Sequence, residues 1–179
     1  MIAHAEAAGK LILIGEHNVV YGYPALALAL PNALSARAYL RPELTTPHLT
    51  LPHLKVSLPL EGPQPADPSL DPLLKRLHEA WALAWRHASR CAERAGHARS
   101  CNQLSEGVGL EVIIEGALPF KVGLGSSAAL ALALLRVLGR VRGYELTDDE
   151  LDEGAWALER VFHGAPSGLD HTTSLRGGV

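Results

Sequence analysis

A turn rich in glycine and serine, lying between two apolar segments, constrains the fold of this chain more than any other feature. The turn covers residues 121–129 (KVGLGSSAA) and follows an alternating apolar run at 108–114 that predicts a strand. The run of alanine and leucine from residue 128 to about 138 predicts a buried helix. The sequence therefore predicts a strand, a glycine loop and a helix, in that order.

This turn has the features of an anion site. Gly123 and Gly125 let the backbone approach a ligand closely and adopt positive φ. The helix that follows begins with unbonded N–H groups and the positive end of its dipole. A site of this kind favours phosphate as its anion. The alternative is that a serine of the turn only caps a core helix.

Two common nucleotide motifs do not explain the turn. The pattern G-x-G-x-x-A fits residues 123–128, but residues 116–120 separate its glycines from the strand. A Walker A loop requires lysine after its last glycine, and Ser126 stands there. The turn is therefore neither a dinucleotide fingerprint nor a P-loop.

Composition limits the class of protein. The chain has 179 residues, of which 47% are hydrophobic, a size that suits one domain with or without a fragment of a second. A net charge of −3 argues against nucleic-acid and anionic-membrane partners. With two cysteines, the chain has too few for a disulfide framework, which suits a reducing compartment. Residues 1–6 do not resemble the start of a signal peptide. The longest apolar runs are too short to span a bilayer. We expect a cytoplasmic protein.

The first third of the chain predicts an antiparallel, strand-rich region. Short apolar runs indicate strands at 11–14, 19–21, 25–30 and 36–40, and alternation over 49–58 indicates more. Three prolines predict a loop at 61–71.

Two amphipathic helices are predicted beside the buried one. The first runs from residue 72 to about 95, with Trp81 and Trp85 in the core. Its basic residues are predicted to form a solvated face: Lys75, Arg76, Arg86, Arg90 and Arg94. The second opens with a capping box at 147–150 and runs to about residue 162.

Polar residues at three places could serve phosphoryl transfer, which needs a phosphate cradle, a metal held by oxygen ligands and a group on the acceptor hydroxyl. The glycine loop, Ser127 with Glu159, and Asp170 could meet these needs, and Lys10 could stabilise ionised Asp170. Each has an alternative. Lys10 could be a surface lysine and Asp170 a turn residue, while Glu159 and His163 could pair on an exposed face. The latter two could also ligate zinc, but no further His or Cys residues at suitable spacing support a zinc site.

Together, three ordered motifs resemble the GHMP kinases. They are GKLILIGEH at 9–17, continued by VVYG at 19–22; GLGSSAA at 123–129; and ERVFHGAPSGLD at 159–170. Within the family, the string at 163–170 favours the members that act on mevalonate. Residues 40–106 carry little of the resemblance.

The resemblance implies an α+β fold. Residues 1–179 would form the N-terminal, ATP-binding domain, which is like ribosomal protein S5 domain 2, and a ferredoxin-like C-terminal domain would be missing or only begun. The implied reaction is ATP-dependent phosphorylation of the primary alcohol of mevalonate to 5-phosphomevalonate, a step of isoprenoid precursor synthesis.

The resemblance also assigns roles. The ATP phosphates would lie on the residues of the glycine loop: Gly123, Leu124, Gly125, Ser126, Ser127 and Ala128. Mg²⁺ would be held by Ser127 and Glu159. Asp170 would be the catalytic carboxylate and Lys10 its cationic partner. Glu16 and His17 would line the substrate pocket.

Some positions depart from the family pattern and leave alternatives open. Ala8 replaces the usual proline, and Lys121 stands where a small residue is usual. The third glycine-rich motif of the family belongs to the C-terminal domain, which residues 1–179 would lack, and that motif helps to complete the nucleotide site. The chain could therefore be a non-catalytic fragment, or a ligand-binding subunit that needs a complementing chain or forms a homodimer. A substrate like that of galactokinase or homoserine kinase is the other alternative.

Overall fold

A five-stranded mixed sheet forms one layer of the computed structural model, which describes residues 1–15, 21–62, 71–97, 109–116 and 123–178. The strands are β1 (Ala3–Ile14), β2 (Leu26–Leu40), β3 (His48–Leu51), β4 (Val56–Pro59) and β5 (Leu110–Gly116). Their order is β1-β2-β5-β3-β4. The pairs β1/β2, β2/β5 and β3/β4 are antiparallel, whereas β3 and β5 are parallel. The predicted α+β class and strand-rich first third are confirmed.

The first two strands are longer than predicted. β1 starts at Ala3 because its alanine-rich half pairs along β2, with Ala5 opposite Ala36. Alanine has little strand preference of its own, so only this pairing reveals the strand. β2 is one strand rather than two, since Asn32 adopts a φ of 51° and lets the strand continue past Pro31.

Two other predicted strand segments differ from the structure. The alternation of apolar and polar residues over 49–58 predicted strand, but a 3₁₀ turn, Pro52–Leu54, interrupts it. The turn joins β3 and β4 into a hairpin. Of the strand predicted at 19–21, residues 19 and 20 lie outside the described residues, and Tyr21 is not in a strand.

The described residues also form four α-helices: α1 (Asp71–Arg94), α2 (Ser126–Val141), α3 (Asp148–His163) and α4 (Leu169–Arg176). α2 contacts β1, β2 and the other three helices, and most of its residues are buried. Because alanine and leucine occur all round α2, it suits burial on every side, as predicted. Within the described ranges, no helix combines the length and apolar character needed to cross a membrane.

The predictions for α1 are confirmed. It ends before Gly96, whose φ is 84°, and Trp81 is fully buried, with Trp85 packed edge-on at a centroid distance of 5.8 Å. Its predicted basic face is exposed.

α3 begins with the predicted capping box. The Glu150 N–H donates to Thr147 Oγ1 at 3.3 Å, and the Thr147 N–H donates to Glu150 Oε2 at 3.0 Å. The helix ends at His163, one residue beyond the predicted end, and Gly164 follows with a φ of 70°.

α4 was not predicted from the sequence. It starts after Gly168, whose φ is 85°, and has no side-chain N-cap. The helix has only eight residues and no clear helical periodicity of apolar residues, so the local sequence does not indicate it. A helix this short is stabilised by its tertiary contacts. Asp170 lies in its first turn, so the alternative that Asp170 is a turn residue is wrong.

Candidate active site

The glycine loop leads directly into α2. Gly125 is the N-cap with a φ of 68°, Gly123 has a φ of 77°, and no side chain caps the helix. The alternative of a serine N-cap is therefore wrong. The first-turn N–H groups, from Ser126 to Ala128, have no intrahelical partner and can bind an anion. Residues 117–122, which include Lys121, lie outside the described residues.

Lys10 joins this loop to Asp170. From β1, its backbone N–H donates to the carbonyl of Leu124 at 2.9 Å, and its Nζ donates to Asp170 Oδ1 at 2.8 Å. Its side chain is only 5% exposed, whereas that of Asp170 is 28% exposed. Lys10 is thus not a surface lysine, and the accessible Asp170 carboxylate is paired with a buried cation.

The neighbours of Asp170 anchor α4 on two sides. His171 is buried, with its Nε2 3.3 Å from Asp152 Oδ1 on α3. Burial lowers the pKa of His171, although the Asp152 carboxylate opposes this effect. On the other side, the Ser174 hydroxyl donates to the carbonyl of Ala8 on β1. These contacts fix where the Asp170 carboxylate lies.

Glu159 lies on α3 as a buried carboxylate. Its Oε1 has no hydrogen-bond partner in the part of the chain that the structure describes. Burial raises the pKa of Glu159, and the nearby Ser127 hydroxyl and His163 oppose this rise. His163 Nε2 lies 3.0 Å from Ser127 Oγ. Because Glu159 is buried, the alternative of an exposed Glu159–His163 pair is wrong.

The oxygen groups of this cluster fit a hard cation. An unpartnered carboxylate oxygen close to a hydroxyl is typical of Mg²⁺ binding, in which one or two protein ligands are completed by water and substrate phosphates. Across the described residues, no group of three or more His, Cys, Asp or Glu side chains could hold a metal ion. Glu159 and Ser127 offer oxygen donors, which Mg²⁺ prefers, rather than the cysteine and histidine ligands that are typical of zinc.

A cavity of about 370 Å³ opens over the loop. It is lined by Pro72, Leu73, Arg76, Gly123, Gly125, Ser126, Ser127, Phe162, His163 and Asp170. A second cavity, of about 190 Å³, lies beside Glu159 and the loop of residues 165–168. His163 and Asp170 line both cavities. A phosphate on the loop and an acceptor in the second cavity could therefore both reach Asp170.

The structure thus brings most of the predicted site residues together. The loop from Gly123 to Ala128, Lys10, Glu159 and Asp170 surround one region, and their roles there stay predictions. Glu16 and His17 lie outside the described residues. Sequence reasoning did not give Arg76 a place in the site, and it considered His163 as a partner of Glu159 and as part of the motif at 159–170 but not as a neighbour of Ser127. The sequence signal that could have placed His163 in the site is its spacing of four residues from Glu159, which puts both on one face of a helix.

The structure combines an α+β fold with a glycine loop at the start of a helix and a lysine–carboxylate pair beside that loop. The family model for the GHMP kinases N terminal domain matches residues 82–178, more than half of the chain. The chain belongs to the GHMP kinase family.

Within this family, several proteins that match nearly the whole chain are mevalonate kinases. The chain is 32% identical over 180 residues to a mevalonate kinase of Thermococcus gammatolerans, and 31% identical over 179 residues to one of Pyrococcus horikoshii. Each match covers 97% of this chain and 49% of the relative. The crystal structure of the Methanococcus jannaschii mevalonate kinase matches with a TM-score of 0.70 and 22% identity, over 99% of this chain and 52% of that one. The chain spans about half the length of these relatives.

Proposed function

We propose that this chain carries the nucleotide-binding and catalytic half of an ATP-dependent mevalonate kinase. The reaction moves the γ-phosphoryl group of ATP to the primary alcohol of mevalonate and yields 5-phosphomevalonate and ADP. The observation that carries the proposal is the Lys10–Asp170 pair at the glycine-loop cavity. The names of the relatives support the choice of substrate.

In this proposal Asp170 acts on the acceptor alcohol. The ammonium group of Lys10 contacts the Asp170 carboxylate at 2.8 Å and holds it in position at the cavity. That carboxylate orients the hydroxyl and takes its proton while the new O–P bond forms and the bond to ADP breaks. The N–H groups of the loop hold the phosphates in place and stabilise their charge.

Magnesium would be held at the other side of the loop. Glu159 Oε1 and Ser127 Oγ would provide protein ligands, together with phosphate oxygens. Mg²⁺ neutralises charge on the phosphates when bound. The contact with His163 restricts the orientation of the Ser127 hydroxyl.

A second candidate follows from the length of the relatives, about half of which this chain spans. We propose that residues 1–179 are the N-terminal domain, and that a ferredoxin-like domain on the same or a complementing polypeptide completes the nucleotide site. A homodimer is the alternative assembly. Glu16 and His17 are proposed to contact the substrate. If the second domain is required, the chain alone binds ligand without turnover.

The test is ADP release by the purified chain with Mg-ATP and mevalonate, with galactose and homoserine as comparison substrates. We expect release that depends on mevalonate. If the folded chain alone is inactive, the assay is repeated with the C-terminal half of a related mevalonate kinase. Release with galactose or homoserine instead would reassign the substrate. ATP binding with no turnover in either form would support a non-catalytic role.

Substituting each loop glycine by alanine tests the phosphate site. Both positions have positive φ, which strains any side chain by about 1 kcal/mol. At Gly125 a Cβ would also lie 3.0 Å from Lys10 Cβ, whereas at Gly123 it would meet nothing within 4 Å. We expect Gly125→Ala to weaken ATP binding about tenfold or more and Gly123→Ala to weaken it much less, as measured by calorimetry. Equal losses of affinity would contradict the proposed close fit of loop and strand.

A further inference from the structure

Arg76 lies in the cavity above the glycine loop. The sequence places Arg76 on the solvated face of α1, and its side chain is exposed. It nevertheless lines the same cavity as Gly123, Ser126 and Asp170. Helical periodicity alone could not separate Arg76 from the other basic residues of α1, because the cavity is built by α2 and α3 as well.

A hydrogen bond holds the guanidinium at the rim of the cavity. Arg76 Nη1 donates to the carbonyl of Phe162 at 3.2 Å, in the last turn of α3. A guanidinium carries five N–H donors in a rigid fork. Within the described part of the chain Arg76 makes this one hydrogen bond, so further donors remain for a ligand.

The charge of the cavity favours an anion near Arg76. Among the described residues that line it, Asp170 is the single carboxylate, and Lys10 already pairs with that group. The positive charge of Arg76 therefore has no acidic partner there. Arginine binds phosphate strongly because its fork can contact two oxygens at once.

Apart from His163, the remaining wall of the cavity is apolar. Pro72 and Leu73 lie on α1 with Arg76, Phe162 provides the carbonyl that Arg76 contacts, and all three line the same cavity as the loop. A ligand that fits these walls has a ring system at one end and a chain of phosphates at the other. A nucleoside triphosphate has this chemistry.

We propose that Arg76 is a second phosphate contact of the nucleoside triphosphate, separate from the N–H groups of the loop. This inference rests on the proposed function, because it assumes that the cavity takes ATP. Arg76 and the loop bind the phosphate chain from two elements, α1 and α2. The contact to Phe162 keeps the guanidinium in position before the nucleotide arrives.

The test compares Arg76→Gln with Arg86→Gln. Both remove one exposed positive charge from α1, but Arg86 does not line the cavity. Affinities for ATP and for adenosine are measured by calorimetry at two salt concentrations, and melting temperatures are recorded. We expect Arg76→Gln to weaken ATP binding about tenfold and to reduce its salt dependence, while adenosine binding stays within about twofold. We expect Arg86→Gln to change neither affinity.

Other outcomes separate the two proposals. If wild-type chain binds ATP and Arg76→Gln binds it equally well, Arg76 is not a phosphate contact although the proposed function stands. Equal losses for ATP and adenosine, with a lower melting temperature, would show that Arg76 only caps α3 and would overturn the inference. A folded wild-type chain that binds no ATP would overturn the proposed function as well.

Discussion

Replacing Asp170 by asparagine is expected to lower turnover of mevalonate by about 10²- to 10⁴-fold, because the amide cannot take a proton. Asparagine has nearly the same shape and can still accept a hydrogen bond from Lys10 Nζ, which lies 2.8 Å from Asp170 Oδ1. ATP affinity should change far less than turnover, since the loop N–H groups bind the phosphates. ADP release and calorimetry measure the two quantities.

A matched control is Asp149→Asn, which changes the same groups at an exposed position on α3. It should keep wild-type turnover. Because Asp170→Asn leaves the buried Lys10 ammonium without its anion, the melting temperature of each variant is measured too. A folded Asp170→Asn protein with wild-type turnover would show that Asp170 is not the catalytic carboxylate.

Truncating Trp81 to alanine is expected to destabilise the fold by about 3–5 kcal/mol. The indole is fully buried at the centre of α1 and packs edge-on against Trp85. Alanine removes these contacts and leaves a cavity that the surrounding helices can only partly fill. Urea denaturation followed by circular dichroism gives the free energy of unfolding.

The control for Trp81 is the same truncation at Trp156, which is 41% exposed on α3. Trp156 packs edge-on against His171 but keeps a large exposed surface, so Trp156→Ala should cost clearly less stability than Trp81→Ala. If the two variants lost equal stability, α1 would not be packed as described.

Local sequence signals predicted several parts of the fold correctly. The capping box at Thr147 and Glu150 requires only residues three apart, and the structure contains both of its hydrogen bonds. The alanine and leucine of α2 are apolar on every face, which is enough to predict burial. Such signals depend on neighbouring residues, so the sequence contains all that is needed to recognise them.

Signals that depend on distant partners were missed. The first half of β1 is strand because Ala3 and Ala5 pair with Ala38 and Ala36, and alanine by itself does not favour strands. Helix α4 exists because His171 and Ser174 are buried against α3 and β1. Neither pairing is visible in a local window.

The sequence by itself determined which chemical groups this protein has and the backbone freedom of its glycine loop. Three ordered motifs also indicated the family, because each motif needs its residue types at fixed short spacing. Only the tertiary structure decided that Lys10 and Asp170, which are 160 positions apart, form one ion pair. It also placed Arg76 in the cavity, because the packing of α1 against α2 and α3 determines which exposed residues face a ligand.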